Sequence, residues 1–406
     1  MHLVALTHLF FPARGGTENA LLGLAKGLVK KGHRVTVVTS NQIRLEDFGK
    51  PQANPSLPGE EFNEGIHIIR LPLSPRQRFI LAKTGALALR SGLMGGETLW
   101  FMTHVPHLPQ MIRTARKLNP DLVYAVPFPT ASIYYASAVA KKIGRPWVIQ
   151  PHLHFNDLNA SLVKIIRWIF PKASAILTNT PAEKNYLVQQ GLQGDKIHAL
   201  GQGLDLTLLE GGDGCRFRST LGLTDEPLIL FLGRKVQDKG IDILLDTMPL
   251  IWKEEPRSVL ILAGRSSPYF KTLYNGHSLS KDSRIISLDD FPDEKKLDLL
   301  AACDLLILPS RVESFGVVFL EAWAKGKPVI GARIPAVADL IDQGEDGFLV
   351  TYGDRLGLAA AATRLIKDPA LRRTMGERGK LKVQERFEIG RITDRMEALF
   401  LSLIKS

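Results

Sequence analysis

The chain has 406 residues, 45% of them hydrophobic and 23% charged, which suits two globular domains of about 200 residues each and excludes a disordered or fibrous protein. Its net charge of +11 is confined to the first half, where residues 1–200 hold 23 Lys and Arg against 11 Asp and Glu, while residues 201–406 hold 29 against 30. That asymmetry points to an acidic partner, either an anionic membrane surface or a phosphorylated acceptor, with a basic surface that merely aids solubility as the alternative, and no zinc-finger, helix-turn-helix or aromatic RNA-binding pattern accompanies it, which argues against nucleic acid.

Residues 1–11 are apolar but lack a basic start and a small-residue cleavage site, so they read as a buried strand over 3–9 rather than a signal peptide. A helix over 17–31, with Leu21, Leu24, Ala25 and Leu28 on one face, and a strand over 34–39 complete a βαβ unit. Residues 41–63, rich in Pro, Gly and charge, predict a surface loop. Strands follow at 66–71, 122–125, 147–150 and 175–178, with helices at 132–143 and 181–190. The basic segment 76–118, interspersed with Phe79, Leu87, Leu93, Trp100 and Phe101, reads as helices packed on their own domain, with a segment lying on a membrane as the alternative. No apolar run approaches the roughly 18 residues that a spanning helix needs. Cys215 and Cys303 have neither metal-ligand spacing nor a disulfide pattern, which suits a reducing, cytoplasmic compartment.

The chain restarts near Gly201-Gln202-Gly203-Leu204-Asp205, and residues 210–214, with three glycines, predict a flexible stretch. The alternation then recurs, with strands at 228–232, 259–263, 285–288, 305–309, 329–331 and 347–350 and helices at 241–252, 294–302, 315–324 and 356–366. This predicts an α/β protein of two doubly wound, Rossmann-like parallel sheets facing a cleft. Residues 1–204 form the first domain and 205–386 the second, and a helix over 387–406 packs back on the first.

In an open parallel sheet, ligands bind where strands end and helices begin, because free amides and the helix dipole favour an anion there. Glu313 and Glu321 flank such a junction: one carboxylate can accept from sugar hydroxyls and the other from a ribose diol, with phosphates between them. The plainer alternative is a helix cap and a solvated helix residue. Arg234 and Lys239 lie in the loop 233–240, which leaves the apolar strand 228–232, and two cations at a strand end can clamp a diphosphate. Gly15-Gly16-Thr17-Glu18 opens the first helix, where glycine lets a ligand approach the backbone. His152 follows the strand 147–150, with His154 competing for its role.

In this order, Gly15-Gly16-Thr17-Glu18, His152, Gly203-Leu204-Asp205, Gly233-Arg234 with Lys239-Gly240, and Glu313 through Gly316 to Glu321 resemble glycosyltransferase family 4, a group of retaining GT-B enzymes that use nucleotide sugars. The resemblance implies that Arg234 and Lys239 hold the diphosphate and Glu321 the ribose. Glu313 and Ser314, with the amides of Phe315, Gly316 and Val317, would take the donor sugar and phosphates, and Leu288 to Phe291 the base. His152 would contact the sugar, and His152, Glu313, Arg234 and Lys239 form the catalytic set. Gly16 would approach the diphosphate and, with Gly15 and Thr17, the acceptor. It further implies transfer with retention and without a metal or cofactor, from a donor of UDP or GDP type to a glycan or lipid-linked acceptor, at the cytoplasmic face of a membrane. Departures from the family pattern are Lys235 in place of an apolar residue, Gln202 in place of asparagine, and Pro335-Ala336 with Asp339 in place of Gly-Gly and glutamate. A GT-B epimerase or phosphorylase, or a non-catalytic nucleotide-sugar-binding assembly protein, shares the architecture.

Overall fold

A computed structural model describes residues 1–13, 15–44, 57–72, 108–289 and 291–405, so most of the basic segment 76–118 lies outside the described residues. The chain divides into two compact units, Met1–Gly203 with Ile389–Ser406, and Leu204–Glu388. Among the described residues no helix is long and apolar enough to cross a membrane.

In the first unit the elements run β1 (His2–Leu6), α1 (Gly16–Lys30), β2 (Arg34–Ser40), β3 (Glu60–Asn63), β4 (Ile66–Leu71), α2 (Gln110–Lys117), β5 (Leu122–Ala125), α3 (Ala131–Ile143), β6 (Trp147–Ile149), α4 (Ala160–Ile169), β7 (Ala175–Thr178), α5 (Pro181–Gln189) and β8 (Ile197–Ala199). The sheet order is β3-β4-β2-β1-β5-β6-β7-β8. All pairings are parallel except β3 with β4. The strand order reverses at β1, between β2 and β5, which places the Gly15-Gly16 turn at a switch point. The helical face read from the sequence is the one α1 buries, through Leu21, Leu24, Ala25 and Leu28.

Two readings of this unit are corrected. The first strand stops at Leu6; the Thr7 amide still donates to the Val38 carbonyl (3.2 Å), and the Thr7 hydroxyl then closes onto the Leu9 carbonyl (3.0 Å) where the chain leaves the sheet. The loop read over 41–63 contains β3, joined to β4 by Glu64 and Gly65, both at positive φ (49° and 80°), as a two-residue hairpin requires. Its sequence, Glu-Glu-Phe-Asn, is polar because the strand forms an exposed sheet edge.

The second unit contains α6 (Gly214–Thr220), β9 (Leu228–Leu232), α7 (Ile241–Glu254), β10 (Val259–Ala263), α8 (Pro268–Gly276), β11 (Ile285–Leu288), α9 (Asp293–Ala302), β12 (Leu305–Leu308), α10 (Val317–Ala324), β13 (Val329–Ala332), α11 (Pro335–Ala338), β14 (Gly347–Val350), α12 (Arg355–Lys367) and α13 (Pro369–Lys382). Its six strands are ordered β11-β10-β9-β12-β13-β14, all parallel. β9 and β12 are buried along their whole length, as strands covered on both faces must be. The order reverses between them, so the loops leaving β9 and β12 line the crevice where such sheets take their ligands.

The stretch 210–214 is not a slack linker. Gly214 begins α6, which Asp213 caps at the Arg216 amide. A Cβ on Gly212 or Gly214 would lie 2.6 Å from the Leu297 carbonyl or 2.8 Å from the Ala302 amide, so these glycines permit close packing on α9. The chain returns to the first unit through α14 (Ile389–Lys405), whose Ile392, Met396 and Phe400 join the core over β1, β2 and α1. Gly203 is packed against Ile389, to which a Cβ would come within 2.4 Å.

Candidate active site

The loop after β9 is fixed by backbone geometry before any side chain acts. Gly240 has φ 68°, and a Cβ there would lie 2.1 Å from the Pro309 carbonyl, so only glycine lets the loops after β9 and β12 meet. Arg311 ties the same loops through its amide to the Asp238 carbonyl (2.8 Å) and its guanidinium to the Asp238 carboxylate (2.7 Å). On this frame Lys239 pairs with Glu313 Oε1, which also accepts from Ser310 Oγ at 3.0 Å. Arg234 is exposed and has no ionic partner among the described residues.

Gly316 caps α10 at φ 98°, with Phe319 packed where a Cβ would sit. The first amides of α10 have no acceptor within the helix, so the Gly316–Val317 turn presents donors beside Glu313 and the half-buried Ser314. The Phe315 ring is buried against Phe387, leaving only its backbone to meet a ligand. One turn and more into α10, Glu321 pairs through Oε1 with Lys296 Nζ on α9 (2.6 Å). Its other oxygen, Oε2, is buried and has no hydrogen-bond partner among the described residues. Lys296 and Ser310 were not singled out in the sequence, since neither lies in a motif and each is recruited by contact across the fold.

Leu288 ends β11 and accepts from the Gly264 amide at 2.9 Å, and Phe291 packs half-buried on the core. The Lys235 read as a departure is fully buried, not a solvated loop residue: its Nζ donates to Ser287 Oγ and Asp289 Oδ1, each at 2.7 Å.

In the first unit, Gly15 lies beneath the Glu18 carboxylate, 2.2 Å from where a Cβ would stand, whereas Gly16 is exposed with open space around it and Thr17 is half-buried. His152 is buried with φ 53°, an uncommon conformation for a side-chain-bearing residue, while His154 is exposed. A polar chain sets its tautomer. The Tyr124 hydroxyl donates to Gln150 Oε1, the Gln150 amide donates to Asn179 Oδ1 (3.2 Å), and the Asn179 amide then donates to His152 Nδ1 (3.0 Å), as does the Gln202 amide (3.1 Å). With Nδ1 accepting, the proton of the neutral ring lies on Nε2, which is buried and has no hydrogen-bond partner among the described residues. Burial, with the His154 ring nearby, depresses its pKa to about 3, so the ring is neutral. Glu183 anchors both flanks by accepting from the Leu153 and Asn179 amides (2.9 and 2.7 Å), and burial pushes its carboxyl up to about 8. Glu183, Asn179 and Tyr124 escape sequence reading because they act through His152, at distances along the chain that no motif encodes.

Among the described residues no three His, Cys, Asp or Glu side chains gather as a metal site, and Cys215 and Cys303 are both free. Residues 15–203 match the family model described as a glycosyl transferase 4-like domain, and residues 216–382 match the model of glycosyl transferases group 1. The chain belongs to glycosyltransferase family 4. A relative in Bacillus anthracis named N-acetyl-alpha-D-glucosaminyl L-malate synthase is 25% identical over 305 residues, 73% of this chain and 78% of the relative. The D-inositol 3-phosphate glycosyltransferase of Nocardia farcinica is 31% identical over 219 residues, 52% of this chain and 49% of the relative, so the match spans about half of that protein. In structure, Anabaena HepE in complex with UDP and glucose superposes with a TM-score of 0.76 at 21% identity, covering 99% of this chain and 100% of HepE, which shows the GT-B fold. The family 4 chain is thus a glycosyltransferase built of two Rossmann-like units.

Proposed function

We propose that this glycosyltransferase moves a sugar from a nucleoside diphosphate donor to an acceptor hydroxyl with retention at the anomeric carbon. The observation that carries the reading is the edge of the second sheet at its switch point. There Arg234, with no ionic partner among the described residues, and the Lys239–Glu313 pair stand in the loops after β9 and β12, followed by the first amides of α10 and by Glu321, whose Oε2 has no hydrogen-bond partner among the described residues. Each matches one part of a nucleotide sugar: cations and amides the diphosphate, Glu313 a sugar hydroxyl, Glu321 the ribose diol. The structure of HepE with UDP-glucose supports a donor of this class.

Arg234 and Lys239 stabilise the charge that builds on the departing diphosphate, the task a metal would otherwise perform. His152 Nε2–H is a neutral donor for a sugar hydroxyl. Attack comes from the face the diphosphate leaves, whose oxygen takes the acceptor proton, since the site offers no identified nucleophile for a covalent intermediate. The exposed Gly16 and the adjoining Gly15 and Thr17 admit the acceptor, a glycan or a lipid-linked intermediate on the cytoplasmic side of a membrane. The membrane contact is supported by α4, where Trp168 is 42% exposed beneath Lys172 (3.9 Å) and beside exposed Lys164 and Arg167.

The test is incubation with a panel of nucleoside diphosphate sugars and acceptor glycans, with and without EDTA, and proton NMR of the product anomer. Retained configuration and EDTA-insensitive transfer are expected. Inverted product, or turnover that depends on free phosphate, would overturn the reading.

A further inference from the structure

A cavity of about 470 Å³ lies within the second unit, apart from the loops that carry the candidate site. Leu206, Leu209 and Ala324 form its apolar wall, and Glu210, Lys325 and Lys380 bring charge to it. Ala324 and Lys325 stand at the carboxyl end of α10, about 12 Å along the helix from the Gly316 cap. The cavity and the candidate site therefore share one helix at its opposite ends. Leu206–Leu209 is a short 3-10 turn just after the chain enters this unit, and Lys380 belongs to α13.

The charges around this cavity do not balance. Lys325 is half-buried and donates to the Gly211 carbonyl (2.6 Å), and the neighbouring Lys327 donates to the Ala301 carbonyl (2.8 Å). A carbonyl takes one N–H of an ammonium but leaves its positive charge in place. Lys380, also half-buried, has no hydrogen bond or ion pair among the described residues. Burial holds the Lys325 pKa below its ordinary value; Glu210 opposes the shift, and the Lys327 and Lys380 ammoniums add to it. Three ammoniums against one carboxylate leave a surplus of two positive charges beside an apolar wall.

We propose that this cavity binds a small organic phosphate monoester, with its phosphate against Lys325 and Lys380 and its apolar body against Leu206, Leu209 and Ala324. A phosphate monoester carries a charge of about −1.5 to −2 at neutral pH, which matches the surplus, and its oxygens accept the ammonium N–H groups that the carbonyls leave over. Inorganic phosphate meets the charge but not the apolar wall. An uncharged alcohol meets the wall but leaves the ammoniums repelling one another. The volume falls within the roughly 300–1,000 Å³ typical of small-molecule sites.

Calorimetric titration of the full chain with hexyl phosphate, inorganic phosphate and hexan-1-ol tests this. Hexyl phosphate is expected to bind at least about 10-fold more tightly than inorganic phosphate, and hexan-1-ol not measurably. The diphosphate clamp is the competing place for a phosphate, and two variants separate the two. Lys380→Gln should weaken hexyl phosphate by about 10-fold, and Lys239→Ala should leave its affinity unchanged. Ala324→Leu, which fills the cavity, should weaken it at least as much; if that variant does not fold, Lys380→Gln at its half-buried position decides the matter. Affinity that survives Lys380→Gln, or that falls instead in Lys239→Ala, overturns the inference. So do equal affinities for hexyl and inorganic phosphate, or a wild type that binds neither, and all of these leave the function proposed above standing.

Discussion

Glu321→Gln separates ribose recognition from every other role of the site. In the native protein Oε1 is committed to Lys296 and Oε2 is a buried acceptor without a hydrogen-bond partner among the described residues. The glutamine is isosteric, but the Lys296 ammonium requires an acceptor and draws the amide oxygen to itself, leaving the NH2 group where Oε2 stood. A ribose hydroxyl then meets a donor instead of an anion. Losing a hydrogen bond to a charged group costs about 1.5–3 kcal/mol, and the upper part of that range applies to a buried site, giving roughly 30- to 150-fold weaker binding. The assay is a cycle: calorimetric affinities of wild type and Glu321→Gln for the best-binding nucleoside diphosphate and for its 2′,3′-dideoxy form. The variant and the dideoxy ligand should each cost about the same, and the two together little more, so the coupling energy is about 2 kcal/mol. If Glu321→Gln weakens both ligands equally, the carboxylate does not hold the ribose and the assignment fails.

Lys239→Ala should lower turnover by about 10²–10³ with unchanged far-UV circular dichroism, since Glu313 keeps the Ser310 hydroxyl; near-normal turnover would remove Lys239 from the diphosphate clamp. Gly240→Ala combines an unfavourable positive φ with a Cβ 2.1 Å from the Pro309 carbonyl, so urea denaturation should show a loss of about 2–3 kcal/mol, and a loss below about 0.5 would mean the loops do not approach so closely. Acid sensitivity follows from His152, whose folded pKa of about 3 lies below its unfolded value. The neutral ring stabilises the fold fully above about pH 6.5, and that stability is lost as pH falls towards 3, at up to about 1.4 kcal/mol per pH unit. Wild type should therefore lose more stability between pH 6.5 and 4.5 than His152→Asn does, as read by urea midpoints at each pH.

The parallel sheets were legible because strands such as Leu228–Leu232 and Leu305–Leu308 are covered on both faces and therefore read as unbroken apolar runs. The charged edge strand Glu60–Asn63 was not, since its stability comes from pairing with β4 and its side chains face water. Helix α6 hid behind glycines that the sequence offers equally to a flexible linker, and only the proximity of α9 explains them. Within the site, Glu313 and Arg234 announce themselves by their position after strand ends, and Glu321 by its spacing from Glu313 in the helix that follows. What accompanies them was silent: Lys296 reaches Glu321 from another helix, and Lys235 looks like one more cation in a basic loop until the fold buries it against Asp289.

The pairing of Lys239 with Glu313 sets a competition that the donor has to win. A diphosphate entering the crevice must share the ammonium with a carboxylate that already holds it, so the pair lowers nucleotide affinity even as it keeps the clamp in place before substrate arrives. Glu313→Gln releases Lys239 and removes one negative charge beside the phosphates. Both changes favour the free nucleoside diphosphate, by about 1–3 kcal/mol for a partly buried pair, or roughly 5- to 150-fold in affinity. The same variant loses the anionic acceptor for the sugar hydroxyl, so transfer from the complete donor should fall although the diphosphate binds more tightly. Affinity and turnover moving in opposite directions is the signature, measured by calorimetry with the diphosphate and by product formation with the donor. If Glu313→Gln weakens the diphosphate, Glu313 supports Lys239 in binding phosphate instead of competing for it, and its place is beside the phosphates, not at the sugar.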